Sequence, residues 1–288
     1  MGAIKIKPVS FAMIPGLHQA FLQAFADYSI TINLDANQFQ RRFLEKLQLD
    51  FEHSAVAVHG NQIVGFIFNH VGEYEGKKTA YNGGTGVVPE FRGKGLTAKM
   101  YDFLLPKLKD ANVDQCLLEV ITTNLKAKHL YKKIGFIETK LYRCYKFNPE
   151  NYTVFDWNMA DVMVYGQKEP EWQVYKNFKD REPSYLDRDI MIKNNLKNEK
   201  VIEAVANGQV LGYAMYQKAN GRLSQIAIHP QYRDMGIGKW LLSNIYRESY
   251  NKRLSILNID DEYKPLNAFF KALGFNNEIN QHEMIMTL

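Results

Sequence analysis

The chain has 288 residues, 46% apolar, 13% aromatic and 23% charged. This is globular composition with length for two domains, and it excludes disorder, collagen-like repeats and coiled coil. Thirty-six Lys and Arg against thirty-one Asp and Glu leave a formal +5, short of a nucleic-acid binder's dense basic stripe and better suited to an anionic small ligand.

At the start of the chain Lys5 and Lys7 are followed by Pro8, Ser10, Pro15, Gly16 and His18, so no signal peptide is expected. Ile6 breaks the myristoylation pattern that Gly2 suggests, and no apolar stretch approaches the roughly 20 residues of a membrane span. Two cysteines, Cys116 and Cys144, show no paired or metal-ligand spacing. A soluble cytoplasmic protein without a disulfide scaffold is the expectation.

Periodicity predicts amphipathic helices over Pro15–Tyr28 and Gln38–Leu49, then a hairpin of Ser54–His59 and Ile63–His70 turned at Gly60-Asn61. Lys78–Val88 reads as a strand closed by Pro89. From Gly95 the spacing of Leu96, Met100, Phe103, Leu104 and Leu108 is a buried helix face. A short buried strand at Cys116–Ile121, a helix at Lys126–Ile134 stopped by Gly135, and closing strands in Phe136–Phe147 complete the series.

The same order then recurs. Val201–Ala206, the Asn207-Gly208 turn and Val210–Gln217 repeat the hairpin, and Arg222–His229 ends at Pro230. Gly236–Tyr250, Leu254–Ile259 and Leu266–Leu273 with Gly274 repeat the helix, strand and helix. A repeat of about 140 residues is a whole domain. Pro149 and its polar neighbours break the pattern, so the expected domains are 1–148 and 149–288.

Two loops are the sharpest matched segments: Val88-Pro89-Glu90-Phe91-Arg92-Gly93-Lys94-Gly95-Leu96-Thr97 and His229-Pro230-Gln231-Tyr232-Arg233-Asp234-Met235-Gly236-Ile237-Gly238. Each follows a strand and opens a helix, where glycines admit a ligand close to the backbone and the unpaired N–H groups favour phosphate. Rival phosphate motifs fail: Gly84-Thr85-Gly86 lacks the third glycine of a dinucleotide fingerprint, and no Gly-x-x-x-x-Gly-Lys-Ser/Thr exists.

These loops resemble the Arg/Gln-x-x-Gly-x-Gly/Ala hallmark of the GNAT superfamily of acyl-CoA N-acyltransferases. Arg233, Gly236 and Gly238 match it fully, and Arg92 and Gly95 match with Thr97 at the last position. Leu118-Glu119-Val120, Asn124, Ala127, Leu130-Tyr131 and Gly135-Phe136 resemble the family's fifth strand and following helix. The resemblance implies an α/β (α+β) fold of two GNAT-like domains, each a mixed, mostly antiparallel twisted sheet flanked by helices.

It further implies an acetyltransferase using acetyl-CoA (coenzyme A) on a primary amine by direct attack in a ternary complex. Its cofactor-binding residues would be Gly86, Val87, Val88, Arg92, Gly93, Lys94, Gly95, Leu96, Thr97, Asn124 and Tyr131. Tyr131 stands where the family places the acid that protonates the departing thiolate. Glu119 matches the proposed base of ribosomal-protein N-terminal acetyltransferases. The plain alternatives are a tyrosine packed on the sheet and a strand-end carboxylate facing solvent.

Laid on the first repeat, the second puts Asn258 under Glu119, Tyr263 under Asn124 and Phe270 under Tyr131. It retains a possible second CoA site at Ala227, Ile228, Arg233, Asp234, Met235, Gly236, Ile237 and Gly238, but neither proton-transfer side chain. Residues 1–148 hold nineteen Lys and Arg against thirteen Asp and Glu; residues 149–288 hold seventeen against eighteen. The basic first half, with Arg92 and Lys94 in its loop and Lys126 and Lys128 on the following helix, is expected to catalyse and the second to be degenerate.

Acceptor candidates are Asp27, Tyr28, Asp35, Glu73, Glu75 and Tyr81, several of them acidic as a cationic amine would want. Loops are also polar because they are wet. The histidines are scattered and no His-Glu-x-x-His exists, so no metal is expected. Cys116 is not needed, since direct transfer forms no acyl-enzyme. The expected partners are a small-molecule or peptide amine, with no nucleic acid and no membrane, in a monomer or homodimer. The alternative function is a CoA-binding sensor or assembly module without turnover.

Overall fold

The computed structural model describes residues 3–27, 32–147, 150, 157–250 and 252–288. In chain order these form β1 (Lys5–Pro8), α1 (Ile14–Ala24), α2 (Ala36–Gln40), continued as a π-turn over Arg41–Lys46, β2 (Ala55–His59), β3 (Gln62–Tyr74), β4 (Lys77–Val87), α3 (Leu96–Asp110), β5 (Gln115–Ile121), α4 (Leu125–Ile134) and β6 (Ile137–Phe147). There follow β7 (Met163–Gln167), α5 (Trp172–Lys176), α6 (Asp189–Asn194), β8 (Lys200–Ala206), β9 (Gln209–Gln217), β10 (Arg222–Ile228), α7 (Ile237–Glu248), β11 (Ser255–Asp260), α8 (Lys264–Ala272), β12 (Phe275–Asn276) and β13 (Asn280–Thr287).

The helices and strands expected from periodicity are present. Six elements, β1, β7, α5, α6, β12 and β13, had no sequence signal strong enough to mark them. All but β13 are six residues or shorter, too short for a period to declare itself. The helix expected over Gln38–Leu49 starts two residues earlier because Asp35 closes a capping box with Gln38.

The chain divides into two compact units: residues 1–139 with 282–288, and residues 140–281. The boundary expected at Asn148 and Pro149 lies outside the described residues, and a single cut there does not reproduce this division. Lys140–Phe147 belongs to the second unit, whereas His282–Leu288 returns to the first. The reason for the return is buried chemistry. Glu283, 1% exposed, accepts hydrogen bonds from Tyr74 (2.9 Å) and Thr139 (2.8 Å), and Met284 and Met286 complete the core under α3 and α4.

Within the first unit the strands run β1-β2-β3-β4-β5-β13; within the second they run β6-β11-β10-β9-β8-β7. The β1–β2, β2–β3, β3–β4, β6–β11, β7–β8, β8–β9 and β9–β10 pairs are antiparallel, and β4–β5 and β10–β11 are parallel. Each sheet is thus mixed and mostly antiparallel. In the first unit one face carries α3 and α4 over Ala80, Cys116, Leu118 and Val120. The other packs α1 and α2 through interlocked Phe21, Phe39, Phe43, Phe66 and Phe68 rings. Among the described residues no helix is long and apolar enough to cross a membrane.

Candidate active site

The site begins where two parallel strands part. β4 and β5 pair from Thr79↔Gln115 to Asn82↔Leu118, and beyond that register they give no further pair. A bulge causes the separation. On β3, Phe68 faces Gly84 while Asn69 faces Asn82, so Gly83 is an extra residue in β4. Asn82 holds the bulge from within: its side-chain oxygen accepts from the Gly84 N–H (3.0 Å), and its amide donates to Thr85 (2.7 Å) and Tyr101 (2.8 Å). Sequence reasoning missed Asn82, although a buried amide beside three glycines in one strand was a readable signal.

The glycines of this strand are there for packing. A Cβ on Gly83 would lie 2.8 Å from Leu47, and one on Gly86 would lie 2.4 Å from Phe66 and 2.9 Å from Ala24. The rings behind Gly86 fix the strand backbone, which leaves the edge past Asn82 to meet a ligand through its main chain.

Of the two expected proton-transfer groups, Glu119 stands one residue past the last β4–β5 pair and Tyr131 on α4. The Tyr81 hydroxyl, on β4 and 2% exposed, donates to the Glu119 carboxylate on β5 at 3.0 Å. Tyr131 is 9% exposed on α4 and meets Tyr101 and Phe136 edge-on, with ring centroids 6.4 and 5.7 Å away. Burial raises the Tyr101 phenol well above the ordinary range, helped by Tyr131 and Cys116 nearby. Burial alone pushes the Cys116 thiol up to about 12, so it is no nucleophile at neutral pH.

The loop after β4 turns through left-handed backbone at Gly93 (φ +75°) and at Gly95 (φ +70°), the N-cap of α3. A methyl on either glycine would meet nothing within 4 Å among the described residues. These glycines serve the backbone turn, and they leave the first-turn N–H groups of α3 approachable. That open, donor-rich cradle fits a diphosphate. Lys94 flanks it, its ammonium 4.6 Å from the Phe91 ring centroid and 3.1 Å from the Glu90 carbonyl oxygen.

Several expected contacts take other roles. Arg92 is engaged inward: it donates to Val87 O (3.1 Å), to Ala24 O (2.9 Å), and through both terminal nitrogens to Asp27 (2.6 and 2.8 Å). The guanidinium therefore pins the loop to the end of α1, and Asp27 is its partner instead of an acceptor ligand. The second unit repeats this clamp. Arg233 donates to Ile228 O (3.3 Å), Phe178 O (3.1 Å) and Asp180 (3.0 Å).

Thr97 is on the packed face of α3, 8% exposed, so its hydroxyl is buried where a phosphate contact was expected. Asn124 accepts from the Ala127 N–H at 3.1 Å and caps α4. Lys128 pairs with Glu138 at 3.3 Å, and Asp35 caps α2. Glu73 and Glu75 are at the β3–β4 hairpin tip, where Glu73 opposes Lys78, roughly 20 Å of strand from Gly84. Tyr28 lies outside the described residues.

In the second unit β10 and β11 pair only at Arg222↔Ser255 and Leu223↔Ile256, with a bulge before Gln225. Asp234 (φ +60°) and Gly236 (φ +86°) repeat the left-handed turns. Asn258, under Glu119, has φ +58° and accepts from Gln281 at 2.9 Å. Phe270, under Tyr131, is fully buried and stacks on Tyr145.

The acetyltransferase (GNAT) family model matches residues 18–136 and again residues 154–275. The chain belongs to the acetyltransferase (GNAT) family. Acyl-CoA-dependent N-acetyl transfer is the chemistry that this family supports in general, with CoA as cosubstrate. Both GNAT copies contain a strand separation and a left-handed loop of their own.

Solved structures with the same fold include a tandem GNAT protein from the clavulanic acid biosynthesis pathway, at TM-score 0.76 and 12% identity over 99% of this chain and 98% of that one. A GCN5-related N-acetyltransferase from Sphaerobacter thermophilus gives TM-score 0.71 and 13% identity over 99% and 95%. A putative acetyltransferase from Pyrococcus horikoshii gives 0.70 and 13% over 100% and 90%. No curated protein matches the sequence.

Proposed function

We propose that the chain is an acetyl-CoA-dependent N-acetyltransferase whose first unit acts on a primary amine by direct attack in a ternary complex, while the second unit does not turn over. The observation that carries this reading is the Glu119–Tyr81 pair standing at the β4–β5 separation, in the unit that also holds an open glycine loop and Tyr131. The matched positions of the second unit are Asn258 and Phe270, which neither accept nor supply a proton at neutral pH.

Bound acetyl-CoA supplies the activated acetyl group as a thioester and leaves as a thiolate. The first-turn N–H groups of α3 and Lys94 hold its diphosphate, and the edge of β4 from Gly86 to Val88 holds its amide arm. A main-chain N–H of that edge stabilises the negative charge developing on the carbonyl oxygen. Glu119, oriented by Tyr81, takes the proton that the attacking ammonium must lose. Tyr131 donates its phenolic proton to the thiolate, and solvent restores both groups. Reduced, buried Cys116 and Cys144 suit a cytoplasmic setting.

The test is the pH dependence of CoA-thiol release with a panel of amines. Tyr131→Phe is expected to lower kcat about 100-fold and flatten the alkaline limb, whereas Glu119→Gln is expected to flatten the acid limb. Unchanged profiles in both variants, with CoA still bound, would favour a CoA-binding module without turnover.

A further inference from the structure

We propose that the cleft between β10 and β11 is a latched coenzyme A cleft: Tyr263, Asp180 and Arg181 tie its walls together and Trp157 covers its loop, so the second unit takes coenzyme A only once these contacts are released. The proposal rests on the reading of the first unit as the coenzyme A site.

The cleft itself is built as in the first unit. Its strands part after Leu223↔Ile256, and it is lined by Gln225, Ile226 and Ala227 of β10 and by Leu257, Asn258 and Ile259 of β11. Main-chain edges past the last pair face an opening, as they do past Asn82. The difference is at the mouth.

There the segment following α5 joins both sides. The Asp180 carboxylate pairs with Arg233, on the loop after β10, at 2.8 Å, and accepts from the Tyr263 hydroxyl, at the start of α8, also at 2.8 Å. Arg181 adds a second tie to Asp260 at the end of β11, 2.8 Å. The first unit has the matching Arg92–Asp27 clamp, but Asn124 stands at the place of Tyr263 and caps its own helix. The tyrosine at this position therefore extends a clamp on one wall into a bridge across two, and the Arg181–Asp260 pair spans them again. Burial, with the Asp180 carboxylate, pushes the Tyr263 phenol up to about 12, so it stays a donor across the physiological range.

The loop is covered as well. Trp157 ring atoms lie 3.2 to 3.5 Å from where a Cβ on Gly236 would stand, while Phe269 lies 3.0 Å from the same point on Gly238. The Lys239 ammonium is 4.4 Å from the Trp157 ring centroid, and Arg247 donates to the Trp157 carbonyl at 3.0 Å. The indole thus sits on the first turn of α7. Gly95, the first-unit counterpart of Gly236, has open space among the described residues.

The test uses the full chain and coenzyme A, with calorimetric stoichiometry and amide hydrogen exchange. Wild type is expected to bind one coenzyme A per chain, protecting residues 92–97 and leaving 233–238 unchanged. The triple variant Trp157→Ala, Arg181→Ala, Tyr263→Asn is expected to bind two, with new protection at 233–238. Protection of 233–238 in wild type would overturn the latch, as would a folded triple variant that still binds one. Should the variant unfold, the wild-type exchange pattern decides alone. If coenzyme A protects neither loop of wild type, the proposed function fails; the latch then stands on protection at 233–238 in the variant and falls without it.

Discussion

Arg92 is the residue at which reading a motif and reading a structure part company. The Arg-x-x-Gly spacing identified the loop, yet the guanidinium points away from it, into the carbonyls of Val87 and Ala24 and the carboxylate of Asp27. Arg233 repeats the arrangement with Asp180, so this arginine positions the loop. Arg92→Ala, which loses the Val87 and Ala24 contacts along with Asp27, is therefore expected to raise the KM for acetyl-CoA more than Asp27→Asn, and the double variant to be no worse than Arg92→Ala alone. Equal contributions from independent phosphate contacts would instead multiply. Arg92→Lys is expected to rescue little, because a single ammonium cannot span three acceptors. The pair also has a pH signature. Arg92 holds the Asp27 carboxyl below its ordinary value, so its contribution is fully present above the unfolded carboxyl's pKa and is lost as pH falls through the lower folded value. Loop protection in hydrogen exchange should accordingly persist at neutral pH and fade only in acid. The loop was legible because its glycines sit in sequence. The clamp was not, because Asp27 is 65 residues from Arg92 and nothing local announces the contact.

At the level of the element, β4 and the loop that follows it contain glycines of two kinds and they should fail differently. Gly86→Ala drives a methyl into Phe66 and Ala24 and is expected to destabilise the first unit by about 1–3 kcal/mol through overpacking, with Phe66→Leu recovering part of the loss. Gly93→Ala meets no neighbour but must hold φ +75°, a backbone cost of about 1–2 kcal/mol that no second-site truncation can relieve. Chemical denaturation of the single and double variants separates the two. Strand alternation located β4, but the bulge at Gly83 was invisible because it depends on register against β3. The acidic hairpin residues Glu73 and Glu75 illustrate the same limit. They were chosen by chemistry, and only strand length shows that they sit at the wrong end of the sheet.

For the whole molecule, the repeat of about 140 residues revealed two copies of one fold, while the exchange of segments between them stayed hidden. In sequence His282–Leu288 simply follows the last helix expected of the second copy. What assigns it to the first unit is the buried Glu283 with its hydroxyl partners Tyr74 and Thr139, and the methionines beneath α3 and α4. Deleting residues 282–288 is therefore expected to damage the first unit, leaving Tyr74 without this acceptor and opening the space of Met284 and Met286. Two buried methionines alone imply a loss on the order of 4–10 kcal/mol, enough to unfold a typical domain. A fragment of residues 1–148 should show no cooperative melting transition, whereas a fusion of residues 1–139 to 282–288 should recover one.

This arrangement also imposes a schedule on synthesis. The first unit cannot close when its own residues emerge from the ribosome, because 142 further residues, 140–281, must be translated before its missing strand exists. At ordinary elongation rates that is a wait on the order of ten seconds, during which the nascent first half carries an unfinished sheet edge. Messages broken between the codons for Tyr131 and His282 would yield chains with every proposed catalytic residue and no folded site to hold them.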